Sequence, residues 1–186
     1  MGGKGRGAGN GTSSICEEIQ VKEGVCMSTR TDVCEHAKWQ PKWVVEKYDE
    51  NGELYDVVEL DGNCLLNEGI NEMWKLITGI GGTPFNNTNS YIGVGDGTAT
   101  AYPTQTGLLG TNKTYMKLDS SYPIVEGQTI KLQATYGPDD ANHEWQEITL
   151  ASGSSDVAVN LNRAVGDLGR KAQGTTWLAH LEIILS

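Results

Sequence analysis

The chain has 186 residues and a formal net charge of −10, from 14 lysines and arginines against 24 aspartates and glutamates. That length allows one ordinary domain with a tail, or two very small domains. Such an acidic chain repels nucleic-acid phosphates and anionic lipids, so we expect it to bind neither nucleic acid nor a membrane. No run of about 18 apolar residues is present, which argues against a transmembrane helix.

The N-terminal residues are rich in glycine and polar side chains. Residues 1–14 cannot bury enough apolar surface to fold alone. No apolar segment follows the first basic residues, so a secretory signal is not expected, and Arg6 replaces the Ser or Thr that myristoylation of Gly2 requires. We therefore predict a flexible, cysteine-bearing arm over residues 1–38 and a β-rich structural domain over residues 39–186.

A β-hairpin over residues 43–60 is the clearest local prediction. Two strand-like segments, 43–48 and 54–60, flank Asn51-Gly52, the preferred pair for a type I′ turn. A two-residue loop places Tyr48 opposite Tyr55, Lys47 opposite Asp56 and Val45 opposite Val58. An aromatic pair, an opposite-charge pair and a β-branched pair all favour this register.

One helix is predicted to follow, at about residues 65–78. Asn63 is a candidate N-cap, and Gly79 stands where a glycine would end the helix. Apolar residues recur at helical spacing and are expected to pack against the sheet as core: Leu66, Ile70, Met73, Trp74 and Ile77.

The rest of the chain alternates between short strand-like segments and turns containing Gly, Pro, Asn or Asp. The predicted strands are 91–95, 114–118, 129–136, 145–150, 157–161 and 176–185. In the segment 129–136, Ile130, Leu132, Ala134 and Tyr136 share one face. We predict a mainly β fold, a β-sandwich or jelly-roll-like domain with one helix, preceded by the hairpin and the arm. The five tryptophans and seven tyrosines suit surfaces that become half-buried at contacts.

No motif predicts an active site. His143 lies in a polar turn, His180 alternates with leucines on the last strand, and no G-x-S-x-G element accompanies them. The glycines at 79–82 follow a helix instead of opening one, the wrong orientation for a phosphate site. The acidic turn 49–53 lacks the spacing of a calcium loop. We predict no catalytic residue, no cofactor, no metal and no enzymatic activity.

Four cysteines occupy the first third of the chain: Cys16, Cys26, Cys34 and Cys64. Zinc binding by Cys16, Cys26, Cys34 and His36 is disfavoured because no C-x₂-C pair occurs. A segment with little apolar content is better stabilised by disulfides, within one chain or between copies. All four cysteines are candidate disulfide residues, and reduced, buried thiols remain the alternative.

Five segments suggest a family: 63–74 (NCLLNEGINEMW), 91–96 (YIGVGD), 141–145 (ANHEW), 159–163 (VNLNR) and 174–177 (GTTW). With them, residues 63–186, about two-thirds of the chain, resemble tailed-bacteriophage virion structural proteins of the capsid-decoration or head-accessory type. The resemblance implies a component of the virion, assembled in the host bacterial cytoplasm.

Two structural roles follow from the resemblance. One is a decoration or cement protein that stabilises the capsid, and the other is a tail, neck, baseplate or fibre module involved in host attachment. Small size and the N-terminal arm favour the first, and long repeats or heptads typical of fibres are not found. The expected partners are other copies, as a trimer or an array, and the major capsid protein or other virion proteins.

Overall fold

Ten strands and one helix form from residues 38–186, the part of the chain described by a computed structural model. In chain order they are β1 (Trp39–Tyr48), β2 (Leu54–Asp61), β3 (Cys64–Leu65), α1 (Asn67–Thr78), β4 (Tyr91–Gly95), β5 (Lys113–Lys117), β6 (Ile124–Glu126), β7 (Thr129–Tyr136), β8 (Glu144–Ala151), β9 (Asn162–Arg170) and β10 (Thr176–Leu185). The predicted mainly β class with one helix is confirmed. The predicted flexible arm, up to residue 37, lies outside the described residues.

The strands form two five-stranded sheets in which every pairing is antiparallel. The first has the order β2-β1-β10-β7-β6, and the second has the order β3-β9-β8-β4-β5. The two ten-residue strands β1 and β10 pair along their whole length at the centre of the first sheet. This arrangement is sandwich-like, as the short strands and turn residues predicted.

The core lies between the sheets because alternate side chains of each strand point inward. The first sheet contributes Trp43, Val45, Leu132, Ala134, Tyr136, Trp177, Ala179, Leu181 and Ile183, and the second contributes Ile92, Val94, Trp145, Ile148, Leu150, Ala164 and Leu168. Trp145 packs edge-on against both Tyr136 and Trp177, with ring centroids 4.6 and 4.8 Å apart. Three of the five tryptophans are therefore core residues, contrary to the expectation of half-buried contacts.

The hairpin forms with a different turn from the predicted one. Lys47 pairs with Asp56 and Val45 with Val58, as expected, but Tyr48 lies opposite Leu54 and Tyr55 is an unpaired bulge residue. The Gly52 N–H donates to the Asp49 carbonyl at 3.1 Å, and the Asp49 N–H donates to the Glu53 carbonyl at 3.0 Å. Gly52 has a φ of 80°, whereas Asn51 has no positive φ. The turn is thus a three-residue loop with a glycine bulge, and the type I′ prediction and the Tyr48–Tyr55 pair are wrong.

Helix α1 differs from the prediction at its start and on its apolar face. Its N-cap is Leu66, without a side-chain cap bond, because residues 64–65 are drawn into β3; Asn63 is not the cap. Gly79 ends the helix in the left-handed region, as predicted. Leu66 is buried and Ile70 and Met73 are half-buried, but Trp74 and Ile77 are exposed. The assignment of Trp74 and Ile77 to the core is wrong.

Most of the remaining strand predictions are confirmed, but two regions differ. Strands β4, β7 and β10 have the predicted bounds, and β5 and β8 differ by about one residue at their ends. Leu132, Ala134 and Tyr136 share the buried face of β7, and Ile130 packs beside them. Residues 157–161 form no strand; the chain instead enters β9 at Asn162, and the short β6 was not predicted.

Candidate functional site

A buried polar layer covers the outer face of the second sheet. Gly93 and Gly95 of β4 lie in register with Thr149 and Glu147 of β8, on the face opposite the apolar core. The polar side chains of this layer are fully buried: Glu147, Thr149, Asn160, Asn162 and Arg163. Buried polar groups need partners, so the contacts of this layer show what it holds in place.

The centre of the layer is an ion pair between Glu147 of β8 and Arg163 of β9. The Arg163 Nη2 and Nε atoms lie 2.6 and 2.7 Å from Glu147 Oε2. Both side chains are 0% exposed. Breaking a pair of this kind by removing one partner leaves a charge buried without compensation. Neither residue can therefore be lost without destabilising the fold.

The pair secures the long connection between β4 and β5, residues 96–112. Glu147 accepts hydrogen bonds from the backbone N–H groups of Gly97, Leu109 and Gly110. Arg163 donates to the Ala99 carbonyl and to Gln105 Oε1. Connections of this length without regular structure are uncommon in compact domains and often functional. Here both charged groups hold the loop against the sheet.

Glycines allow the loop backbone to approach the carboxylate. A Cβ atom on Gly97 would lie 2.6 Å from Glu147 Oε1 and 2.7 Å from the Gly110 nitrogen. A Cβ atom on Gly95 would also lie 2.6 Å from Glu147 Oε1. These glycines belong to the Gly-rich segment 93–97, whose role is close approach to a buried carboxylate.

The same layer fixes helix α1. The Asn160 N–H donates to Glu68 Oε1 at 2.9 Å, and Thr149 Oγ1 donates to Asn160 Oδ1 at 3.0 Å. The Asn67 N–H donates to the Pro103 carbonyl at 2.8 Å, which ties the first turn of the helix to the 96–112 loop. A Cβ atom on Gly69 would collide with the backbone of Leu161. The helix is thus held close to the second sheet.

A second side of α1, next to the packed one, carries large apolar side chains that the described residues do not cover. Trp74, Ile77 and Ile80 are 61%, 73% and 83% exposed. Together with half-buried Ile70 they form what we call the α1 stripe: Ile70, Trp74, Ile77 and Ile80. Spacing of i, i+4 and i+7 along the helix places the first three on one side. A rigidly held helix thus presents an apolar surface to solvent.

Of the four candidate disulfide residues, only Cys64 lies among the described residues. It is half-buried in β3, opposite Arg163 of β9, and it forms no disulfide with any of those residues. Burial raises the pKa of its thiol, and the charge of Arg163 opposes this. Cys16, Cys26, Cys34 and His36 lie outside the described residues. The disulfides therefore stay a prediction.

The two described histidines lie apart: His143 is in the turn before β8 of the second sheet, and His180 is on β10 of the first sheet. His143 Nε2 lies 3.2 Å from Thr114 Oγ1, and its Nδ1 lies 2.8 Å from the Glu144 carbonyl. His180 Nε2, on the outer face of the first sheet, lies 3.5 Å from Glu46 Oε2. Residues 38–186 contain no group of three or more His, Cys, Asp or Glu side chains arranged to hold a metal ion.

Sequence reasoning did not find the Glu147–Arg163 pair. The signal was present, since both are charged residues within or beside apolar strand segments, but one sequence does not show which distant charges meet. Comparison with family models, curated proteins and solved structures found no match to this chain. Within the described part, no helix is long and apolar enough to cross a membrane.

Proposed function

We propose that this protein is a structural component of a phage virion, a capsid decoration, cement or head accessory protein that acts through protein–protein contacts. The observation that carries the proposal is the α1 stripe, in which Trp74, Ile77 and Ile80 are uncovered. Neighbouring exposed apolar side chains on a folded domain are typical of contact sites. The resemblance of residues 63–186 to phage structural proteins is the reason for placing this contact in a virion.

Burial of the α1 stripe under a partner is energetically favourable. Covering one large apolar side chain stabilises an interface by roughly 1.5–3 kcal/mol. Tryptophan is among the residues that dominate interface energetics, because its large rigid ring loses little conformational freedom on binding. Three such side chains on one short segment can anchor a partner surface.

Rigidity of the helix adds to the affinity of this contact. The bonds from Asn67 to Pro103 and from Asn160 to Glu68 fix the helix before any partner binds. A preorganised surface loses less conformational entropy when the partner binds. The Glu147–Arg163 layer therefore supports the function indirectly, by holding the surface that makes the contact.

The assembled form that we propose is a symmetric homo-oligomer, a trimer or an array on the capsid lattice, in contact with the major capsid protein or other virion proteins. Light scattering on the purified protein measures its oligomeric state. Labelled-antibody electron microscopy of purified particles locates it, and label at the tail, neck or baseplate would favour the host-attachment alternative.

Replacement of Trp74 tests the contact directly. Trp74→Ala should change the free energy of unfolding by less than about 0.5 kcal/mol, because the side chain is exposed. The same variant should lose most of its binding to particles that lack the protein. Val125→Ala, a similarly exposed position on β6, is the matched control and should bind like the unmodified protein.

Two outcomes would contradict the contact. One is full binding of Trp74→Ala to particles. The other is a cost of about 3–5 kcal/mol in unfolding free energy, which is the effect of truncating a core tryptophan such as Trp145.

A further inference from the structure

The free edge of β2 stands apart from the other sheet edges. Of the four edge strands, β3 has two residues, β6 has three and β5 has five, whereas β2 has eight. Among the described residues β2 pairs with β1 alone, so along its other side the backbone N–H and C=O groups have no strand partner. An edge of this length can accept an additional strand.

The side chains of β2 leave this edge open. Leu54, Tyr55 and Val57 are each about half exposed, at 53%, 53% and 45%. No proline occurs in the strand, and the bulge at Tyr55 lies near its start. An incoming strand would therefore meet a regular ladder from Asp56 to Asp61.

The negative charge of this edge favours a partner strand that carries basic residues. Residues 50–61 contain five acids and no basic residue: Glu50, Glu53, Asp56, Glu59 and Asp61. Lys47 of β1 pairs with Asp56 at 2.8 Å, and Lys42 of β1 pairs with Glu59 at 2.9 Å. Glu53, just before the strand, and Asp61, its last residue, form no ion pair within the described residues, although Asp61 lies opposite Lys42 of β1 in the ladder.

We propose that the β2 edge is a docking site for an extended, basic strand of another protein, which adds to the first sheet as a sixth strand. Backbone hydrogen bonds supply the affinity, and the acids select lysine or arginine at neighbouring positions. A second copy of this chain is disfavoured as the occupant, because two β2 edges would bring two acidic strands together. This inference is independent of the α1 stripe, which lies on a different part of the fold.

The test uses the full-length, ¹⁵N-labelled protein and two synthetic peptides with the same Thr/Val pattern, one carrying lysines and one carrying glutamates at alternating positions. Amide hydrogen exchange is measured by NMR with each peptide. The lysine peptide should slow exchange at alternate amides of β2, those that face away from β1, and its affinity should fall as salt is raised. The glutamate peptide should leave the amide exchange rates of β2 unchanged.

A charge-reversal variant separates the edge from general electrostatics. Glu53→Lys with Asp61→Lys should lower the affinity of the lysine peptide for the protein by about tenfold. The variant should keep its fold, since both side chains are exposed and form no ion pair among the described residues. Glu126→Lys with Asp139→Lys makes the same change in net charge and should bind the peptide like the unmodified protein, since Glu126 lies on β6, the opposite edge strand of the first sheet, and Asp139 lies in the loop after β7.

Several outcomes would overturn the proposal. One is an amide exchange rate at β2 that the lysine peptide does not change. Another is equal protection of the β2 amides by both peptides. The third is an equal loss of affinity for the lysine peptide in both charge-reversal variants. Protection of β2 that rises with protein concentration in the absence of peptide would identify a second copy as the occupant instead.

Discussion

Gly52 and Gly97 are both required glycines, but for different physical reasons. Gly52 has a φ of 80°, and no heavy atom lies within 4 Å of the place that a Cβ atom would take, so only backbone strain opposes a side chain there. Gly97 has no positive φ, but a Cβ atom would collide with Glu147 and Gly110. The first residue belongs to an exposed turn and the second to the buried layer.

Alanine at these two positions should therefore have unequal effects. Gly52→Ala should lower the free energy of unfolding by about 1 kcal/mol, and Gly52→Asn should recover part of it, since Asn tolerates the left-handed region. Gly97→Ala should lower the free energy of unfolding by roughly 1–3 kcal/mol or more, because the 96–112 loop must move away from the Glu147 carboxylate. Urea unfolding measures both, and equal losses would contradict the steric account of Gly97.

The residue scale also shows why the predicted type I′ turn is wrong. The positive φ of Gly52 followed from the Asn-Gly pair. The turn class depends on Asp49, whose Oδ1 accepts the N–H groups of Asn51 and Glu53 at 2.8 and 2.9 Å. A side chain that bonds the backbone of its own turn selects among geometries that the Asn-Gly pair leaves open.

At the scale of elements, β8 and β9 carry two ion pairs that differ mainly in burial. Glu147 and Arg163 are 0% exposed, whereas Glu144 and Arg170 lie 3.3 Å apart with side chains 44% and 70% exposed. The exposed pair is screened by water and should contribute at most about 1 kcal/mol. The buried pair also bonds the 96–112 loop, so its loss affects a whole connection.

Glu147→Gln should lower the free energy of unfolding by about 3–5 kcal/mol, because it leaves the Arg163 guanidinium buried without a counter-charge. Glu144→Gln, on the same strand, is the matched control and should cost less than about 1 kcal/mol. Amide exchange should also accelerate in residues 96–112 of Glu147→Gln alone. Similar costs for the two variants would show that the buried pair does not hold the loop.

The apolar repeat of α1 predicted the helix but not what covers its apolar side. The 3.6-residue repeat and Gly79 predicted its existence and its end. The repeat also marks one apolar side, but only contacts decide whether a sheet, a partner or solvent covers that side. Here Gly69 packs against Leu161, and the stripe of Trp74 faces outward.

At the scale of the whole molecule, Tyr136 joins the two sheets. Its side chain is buried between them, and its hydroxyl donates to the Ile92 carbonyl of β4 at 2.7 Å. Burial raises the pKa of Tyr136 well above its ordinary value of 10.0, and the charge of Asp140 adds to this. Burial raises the pKa of Tyr115 as well.

Stability should therefore fall as pH rises above about 10. In that range the unfolded chain loses the Tyr136 proton while the folded protein keeps it, so the unfolded state binds fewer protons and becomes favoured. Tyr136→Phe should be less stable by about 1 kcal/mol at about pH 8, through loss of the hydrogen bond. It should lose less additional stability than the unmodified protein between about pH 8 and pH 11.

Urea midpoints at the two pH values measure this difference, in which the contributions of the other titrating groups cancel. Equal losses in the unmodified protein and in Tyr136→Phe would show that Tyr136 does not control the alkaline transition.

The sequence by itself determined the elements whose signals are local. Alternation in 129–136 and 176–185, the Asn-Gly turn and the glycine after α1 each act within a few residues, and the sandwich-like class follows from many short strands with turns between them. The tertiary structure decided what depends on distant partners: the strand order, the burial of Trp145 and Trp177, the exposure of Trp74, and the meeting of Glu147 with Arg163. Those outcomes depend on which surfaces come together in space, because burial and ion pairing are properties of contacts between segments and not of any one segment.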